Sequence, residues 1–477
     1  MRFILLLFTI FCTITASAQV IIKGNIDNYY HEKIEVLIAH DFISNSKVSL
    51  ASTQIDDSGN FELSFNGIHY SFTGYLRVAD REIPLHIEQN SNYEIKLHTP
   101  ENLEDILTPV EISSIEIQTH NTFEEWQAKS DFLVFCDVFL DSNQTYLFYR
   151  QDSALNSLKQ LVRDSFDVFG KHSTYLKKLI QYNLADIELL YRPSTAIYFD
   201  SLLAEEPIDY HHPSYTRFLT HLLGERVQTV ITRTKEITKN KLVGDVKTAF
   251  DKLLASDSIL AKRDDIREYL MLQYAYSNYN SAQIPQSVWD LYFYQVKTSS
   301  EFEFHREIAS LVLEKIHRLE QGMKAPNFTF LTLEGDEKVL TDYEGKFVYI
   351  QFWAPWSQES IKDMKLIQRL NEENEKNIHF ISVAINRSKE EAFKTIAPYN
   401  FKWDMLHFNL DYSVLRKYGI DTAPMYFLID PYGKLLIAPS DPPIKMFELL
   451  NQLKTNPKKG DTPAYMLIND YSKERLR

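Results

Sequence analysis

Two serines three residues apart, Ser357 and Ser360, stand where a strand-like run gives way to a helix-like one, in Phe352-Trp353-Ala354-Pro355-Trp356-Ser357-Gln358-Glu359-Ser360. A helix N-terminus offers unpaired N–H groups and the positive end of the helix dipole, so a nucleophile or anion is favoured there. A hydroxyl is far too weak an acid to be ionised by that field, and it cannot cycle through a disulfide. Hydrolysis would need a base beside Ser357. The nearest histidine in sequence, His379, opens a strand and no histidine motif marks a partner. The simplest role for Ser357 is an N-cap, worth about 1 kcal/mol. Glu359 in the first turn suits the dipole and would oppose a neighbouring thiolate.

The remaining chemistry-bearing residues are few. His211-His212 sits in a loop beside Pro213. Adjacent histidines point in different directions, and no third ligand follows at a fixed spacing, so they read as a loop rather than a metal site. The chain has two cysteines, Cys12 and Cys136. Cys136 lies in the apolar helical run 132–138 with nothing basic adjacent, the setting of a buried, inert thiol. No metal and no cofactor is expected.

The elements that must position these residues fall into regions. Arg2, the apolar or hydroxyl run 3–15 and Ala16-Ser17-Ala18 read as a cleavable export signal. Removing 18 residues from 477 leaves 459, with Cys136 as the one thiol and no intramolecular disulfide possible. A lipid anchor on Cys12 is the alternative, disfavoured by the bulky Phe11. The apolar run falls short of the ~20 residues a spanning helix needs, and no later run is long enough. A hydrophobic content of 44% supports ordinary cores, and about three domains are expected. The formal charge of −14 argues against nucleic acid or anionic membrane as the main partner.

Residues 19–100 alternate like strands: Val20 to Ile26, Lys33 to Ile38, then a turn cluster at Asp56-Asp57-Ser58-Gly59-Asn60 before alternating Phe61-Glu62-Leu63-Ser64-Phe65. Residues 87–95 look like a closing hairpin, and the whole like a small β-sandwich. A polar junction runs from Pro100 to Pro109. From about Thr122 to Glu320 the period is helical, with Leu155, Leu158, Leu161 and Val162 on one face, and Leu202 and Leu203 on another. Phe347-Val348-Tyr349-Ile350-Gln351-Phe352-Trp353 is a near-continuous apolar strand of the central, buried kind. Residues 357–374 have helical spacing through Met364, Ile367 and Leu370, and 378–385 form a second buried strand. The composition of the tail from about Asn456 points to disorder.

The last third of the chain resembles TlpA/ResA-type, redoxin-like thioredoxin-fold proteins. The loop matches their F-W-A-x-W-C-x-x-C pattern except at the two cysteines, where Ser357 and Ser360 stand. Ala325-Pro326-Asn327-Phe328 resembles A-P-x-F, and Leu340 to Lys346 resembles L-x-D-x-x-G-K. Tyr418-Gly419-Ile420, followed by Pro424-Met425-Tyr426-Phe427-Leu428-Ile429-Asp430, resembles Y-x-V…P-T-x-F-L-I-D. The N-terminal region resembles the β-rich module of unknown function that precedes such domains, through its K-G-x-I opening and D-x-x-G-x-F-x-F-type turn. Residues 208–215 resemble a Y-x-N-P-x-Y stretch of the same proteins, with His212 in place of the Asn.

The expected chain is therefore multidomain: signal peptide 1–18, β-sandwich 19–100, α-helical region 101–321, α/β thioredoxin-like domain 322–455 and polar tail 456–477. The resemblance implies that Pro424 is the family's cis-proline, and that Trp356, Ser357, Ala423 and Pro424 line a peptide groove in which Ala423 offers backbone groups. Pro424 could equally serve folding alone, and Trp356 could be packing rather than an anchor. The expected role is a redox-dead binding or scaffolding protein of the periplasm or cell envelope, its partner an extended peptide or an envelope protein. Two alternatives stay open: a thiol–disulfide oxidoreductase by family membership, and ligand binding by the helical region.

Overall fold

The structure, a computed structural model, describes residues 19–455 except 28, 67–69, 80, 89–90, 99–113, 120–123, 144, 146–148, 150–151, 192–193, 234–243 and 282, together with 467, 468 and 471. The export signal, Cys12 and the 100–109 junction lie outside the described residues.

Eight strands form two four-stranded sheets: β1 (Gln19–Ile26), β2 (Lys33–Ala39), β3 (Lys47–Gln54), β4 (Asn60–Asn66), β5 (Phe72–Val78), β6 (Arg81–Ile87), β7 (Asn92–His98) and β8 (Ser114–Thr119). Their orders are β4-β1-β7-β8 and β3-β2-β5-β6. Strict alternation drives this: in β4 Phe61, Leu63 and Phe65 are buried while their neighbours face solvent. The turn before β4 is built by Asp56, whose carboxylate accepts from the N–H groups of Ser58 and Asn60, with Gly59 at φ +81°. Gly24 is required by close approach, since a Cβ there would lie 2.4 Å from the Ile95 carbonyl oxygen.

Two expectations change here. Residues 87–95 are not a hairpin: β6 pairs only with β5, whereas β7 pairs parallel with β1 and antiparallel with β8. The chain crosses from one sheet to the other between them, a choice that alternation alone does not encode. The sandwich also runs past residue 100, because β8 completes the first sheet beside β7.

Nine helices follow among the described residues: α1 (Glu124–Ser142), α2 (Asp152–His172), α3 (Thr174–Tyr191), α4 (Thr195–Leu202), α5 (Pro213–Arg233), α6 (Val246–Leu254), α7 (Asp264–Ser277), α8 (Gln286–Ser299) and α9 (Glu303–His317). The first three share one core around Phe132, Cys136, Leu158 and Leu176, and the later helices another around Tyr215, Phe218, Trp289 and Phe293. On α2 Leu155, Leu158 and Val162 are buried, along with Ala154 and Phe166, but Leu161 is 44% exposed. At about 100° per residue, Leu161 falls some 60° beyond Leu158 and off the buried stripe. Cys136 is buried, and desolvation, with Asp137 beside it, pushes its thiol up to about 12.

The C-terminal domain is a seven-stranded sheet, order β10-β9-β13-β12-β11-β14-β15, from β9 (Thr329–Thr332), β10 (Glu337–Val339), β11 (Phe347–Trp353), β12 (Ile378–Ala384), β13 (Asp404–His407), β14 (Met425–Ile429) and β15 (Leu435–Ser440). Helices α10 (Gln358–Asn374), α11 (Lys389–Ile396), α12 (Tyr412–Tyr418) and α13 (Pro443–Gln452) complete it. Every residue of β11 is buried, as a central strand flanked by β12 and β14 must be. The architecture is thus β-rich, then helical, then a thioredoxin-like α/β domain. The tail was expected to be disordered, yet Ile468 is fully buried against the Met446, Leu449 and Leu450 face of α13, and the Tyr471 hydroxyl donates to Asp441 at 2.8 Å. The rest of the tail lies outside the described residues.

The regions are tied by specific contacts. Arg387 of the C-terminal domain pairs with buried Glu32 of the sandwich at 3.1 Å and lies 4.1 Å from the centre of the Tyr29 ring. Arg416 donates to the Ala79 carbonyl at 3.1 Å. Thr73 of β5 bonds the Tyr175 hydroxyl of α3 at 2.7 Å, and Lys315 of α9 donates to the Ser44 carbonyl at 2.8 Å.

Candidate functional site

The site sits at the C-terminal end of β11, where the chain turns through Ala354, Pro355 and Trp356 into α10. Ser357 has extended backbone angles (φ −86°, ψ 101°), and its Oγ accepts from the Ser360 N–H at 3.2 Å. That is the N-cap geometry its residue type favours. The same Oγ donates to the Ala423 carbonyl at 3.3 Å, and the Ala423–Pro424 peptide is cis. The structure therefore brings Ser357, Ala423 and Pro424 together. Trp356 lies on the adjoining turn with 38% of its surface exposed, whereas Trp353 is fully buried in the core.

Ser360 is different from Ser357. It is completely buried, and its Oγ has no hydrogen-bond partner among the described residues. Beneath it runs a polar chain that the sequence reading missed: Gln351 Nε2 donates to the Ser360 carbonyl at 3.2 Å, Ser382 Oγ donates to Gln351 Oε1 at 2.9 Å, and Trp403 Nε1 donates to Ser382 Oγ at 2.9 Å. The signal was present in Gln351, the lone amide of an otherwise apolar strand, since a buried amide must be satisfied. Tyr426 donates to Asp363 at 2.5 Å; burial first, then this carboxylate, holds its hydroxyl far above the usual tyrosine range.

No base serves the serines among the histidines of this domain. His379 pairs with Val348 at the start of β11, five residues before Trp353, roughly 17 Å from the end that carries Ser357. His407 lies opposite Ala384, near the correct end. Its Nε2 bonds the Asn386 carbonyl at 2.7 Å and its Nδ1 the Asn409 N–H at 3.1 Å, so both nitrogens are engaged. Burial holds both rings below the usual histidine range. The site offers neutral hydroxyls, backbone carbonyls and an exposed indole: donors and acceptors for recognition, without an ionisable nucleophile.

Residues 321–437 match the AhpC/TSA family. The C-terminal domain is a redoxin domain. Curated relatives include the thiol-disulfide oxidoreductase ResA of Bacillus thuringiensis, 28% identical over 123 residues, covering 26% of this chain and 70% of that protein. ResA of Geobacillus thermodenitrificans is 31% identical over 115 residues, 24% of this chain and 66% of that one. Among solved structures, the thioredoxin domain of a thiol-disulfide oxidoreductase from Bacteroides vulgatus is 27% identical, covering 26% of this chain and 90% of that chain, with a TM-score of 0.25. A thiol:disulfide interchange protein from Bacteroides sp. is 27% identical, covering 25% and 80%, with a TM-score of 0.24. The matches to these relatives cover about a quarter of this chain.

Elsewhere, His212 is buried with Nε2 against the Tyr175 carbonyl at 3.2 Å, and His211 Nδ1 lies 3.2 Å from the Ala39 carbonyl. Both histidines serve backbone carbonyls at the seam between sandwich and helices. One group among the described residues has metal-ligand composition: His86, Glu88 and Glu125, with ligand atoms all within 4.8 Å of one another. Its local trace, His86-Ile87-Glu88, is a pair at strand spacing that only the fold brings to Glu125. No described helix is long and apolar enough to cross a membrane.

Proposed function

We propose that this is an exported, non-catalytic redoxin-domain protein that binds an extended peptide or an envelope protein. The observation that carries the reading is the pair of hydrogen bonds at Ser357: its hydroxyl accepts from Ser360 to cap α10 and donates to Ala423, so the residue at the redox position is committed to structure. No thiol stands in the loop, and Cys136 belongs to the helical core, its pKa raised by burial away from reactivity. The Ala423 carbonyl keeps a second lone pair and can still accept from a segment laid along it, as in strand addition, while Trp356 supplies apolar area. Residues 1–18 provide the export signal.

The test is a dithiothreitol-coupled insulin reduction assay on the full chain. The expected rate equals the uncatalysed background. Turnover that disappears in Cys136→Ala would restore the oxidoreductase reading that the homology of the redoxin domain favours.

A second reading rests on a separate observation. The helices flank an open cleft of about 700 Å3 lined by Leu189, His221, Arg226 and Arg233, the size of a small-molecule site. Binding retained by Trp356→Ala but lost by Arg226→Ala would favour it.

A further inference from the structure

We propose that His86, Glu88 and Glu125 form a divalent-cation site that clamps α1 onto the sandwich. The three residues come from different places: His86 from the end of β6, Glu88 from the segment just after it, and Glu125 from the first turn of α1. Their sequence separation makes the cluster a product of tertiary structure. His86 is fully buried and Glu88 is 7% exposed. Two carboxylates this close, Glu88 buried and Glu125 partly so, repel one another, and a cation held between them relieves that repulsion. One imidazole nitrogen and two carboxylate oxygens are a donor set for a zinc-class ion, with a further position left for water.

The surroundings are those of a built site. Glu125 Oε1 lies 3.3 Å from His86 Nε2 and accepts from Ser173 Oγ at 2.5 Å, while its other oxygen accepts from Ser71 Oγ at 3.0 Å. Hydroxyls from β5's approach and from the start of α3 thus aim the carboxylate, as outer partners of metal ligands do. The His86 ring packs on Tyr175 with centroids 4.7 Å apart, which limits its rotation. Glu125 also sits at the N-terminus of α1, where a carboxylate is favoured in its ionised form.

A rival source of positive charge is present. Lys129, one turn along α1, donates to Thr73 Oγ1 at 3.2 Å and lies 5.6 Å from the Tyr175 ring centre. If Lys129 alone balances the carboxylates, no ion is needed. The two cases differ in what Lys129 does to metal uptake. A neighbouring ammonium repels a bound cation, so Lys129→Met keeps or tightens zinc binding if the site is real.

The experiment uses the full chain, stripped with EDTA, dialysed against low-micromolar Zn2+ and analysed by inductively coupled plasma mass spectrometry. The expected result is one ion per chain and a raised melting temperature. Affinity should fall roughly tenfold or more in Glu88→Gln and in Glu125→Gln, and Lys129→Met should retain the ion. Circular dichroism establishes that the variants fold; if they do not, the wild-type melting curve with and without zinc decides alone. Absence of uptake with an unchanged melting curve, or uptake that persists undiminished in both glutamine variants, overturns the site. None of these outcomes bears on the redoxin loop.

Discussion

The Ser357 loop and the His86–Glu125 junction are both buried polar sites at the start of a helix, yet they differ in kind. In the loop the contacts of Ser357 and Ser360 are neutral, made by hydroxyls, amides and backbone carbonyls. At the junction the groups are ionisable: an imidazole, two carboxylates and an ammonium. Neutral hydrogen bonds contribute about 1 kcal/mol each, whereas removing one member of a buried charged set leaves the others uncompensated and costs several times more. The position that family resemblance marks for chemistry is electrostatically quiet. The charged site lies at a seam between the sandwich and the helices.

Glu125→Ala should break this contrast most visibly, lowering stability by about 3–5 kcal/mol, because His86, Ser71, Ser173 and Lys129 all lose their shared partner. Chemical denaturation measures it, and a loss under about 1 kcal/mol would place the junction in the same energetic class as the loop.

Glu32 sharpens the comparison through pH. Burial, only partly offset by Arg387, raises its carboxyl to about 7. A raised folded-state pKa means that the stabilising contribution is complete below the unfolded value near 4.5 and is lost as pH rises through 7. Unfolding free energy should therefore fall between about pH 4.5 and 7 by on the order of 3 kcal/mol, with a matching drop in melting temperature, and Glu32→Gln removes this dependence. A pH profile identical in the two proteins would show that Glu32 ionises as freely in the fold as in the unfolded chain.

Trp356→Ala probes the quiet site from its surface. Partner binding should weaken by about 2 kcal/mol, a factor near 30, with the melting temperature nearly unchanged, since the indole is partly exposed. If instead the variant loses 3–5 kcal/mol of stability and no affinity, Trp356 is packing and the groove is not a binding site.

The smallest effect belongs to Ser357→Ala. Loss of the cap and of the bond to Ala423 should cost about 1 kcal/mol, read by thermal unfolding. A loss as large as that of Glu125→Ala would mean that the loop stores far more than a neutral cap.

Much of the C-terminal domain was legible. The wholly apolar run 347–353 became the central strand, Ser357 became the N-cap of a helix ending at Asn374, and Ala423–Pro424 is cis. The neutrality of the site was legible too, since two hydroxyls in place of thiols are a matter of residue type. The polar chain from Trp403 to Ser360 was not, because its members come from β11, α10, β12 and the segment before β13, whose pairing no local pattern states.

What the sequence determines by itself is whatever depends on near neighbours along the chain: alternation, helical stripe, capping serine, the Asp56–Gly59 turn, and the absence of a thiol from the loop. Which sheet each strand joins was decided only in three dimensions. β6 and β7 look like one hairpin but sit in different sheets, and β8 returns past the expected boundary to close the first. Glu125 meets His86 across 39 residues of chain, and Arg387 meets Glu32 across the whole helical region. Local preference is an energy of adjacent residues, whereas these contacts are chosen by burying apolar faces that the chain brings together only on folding.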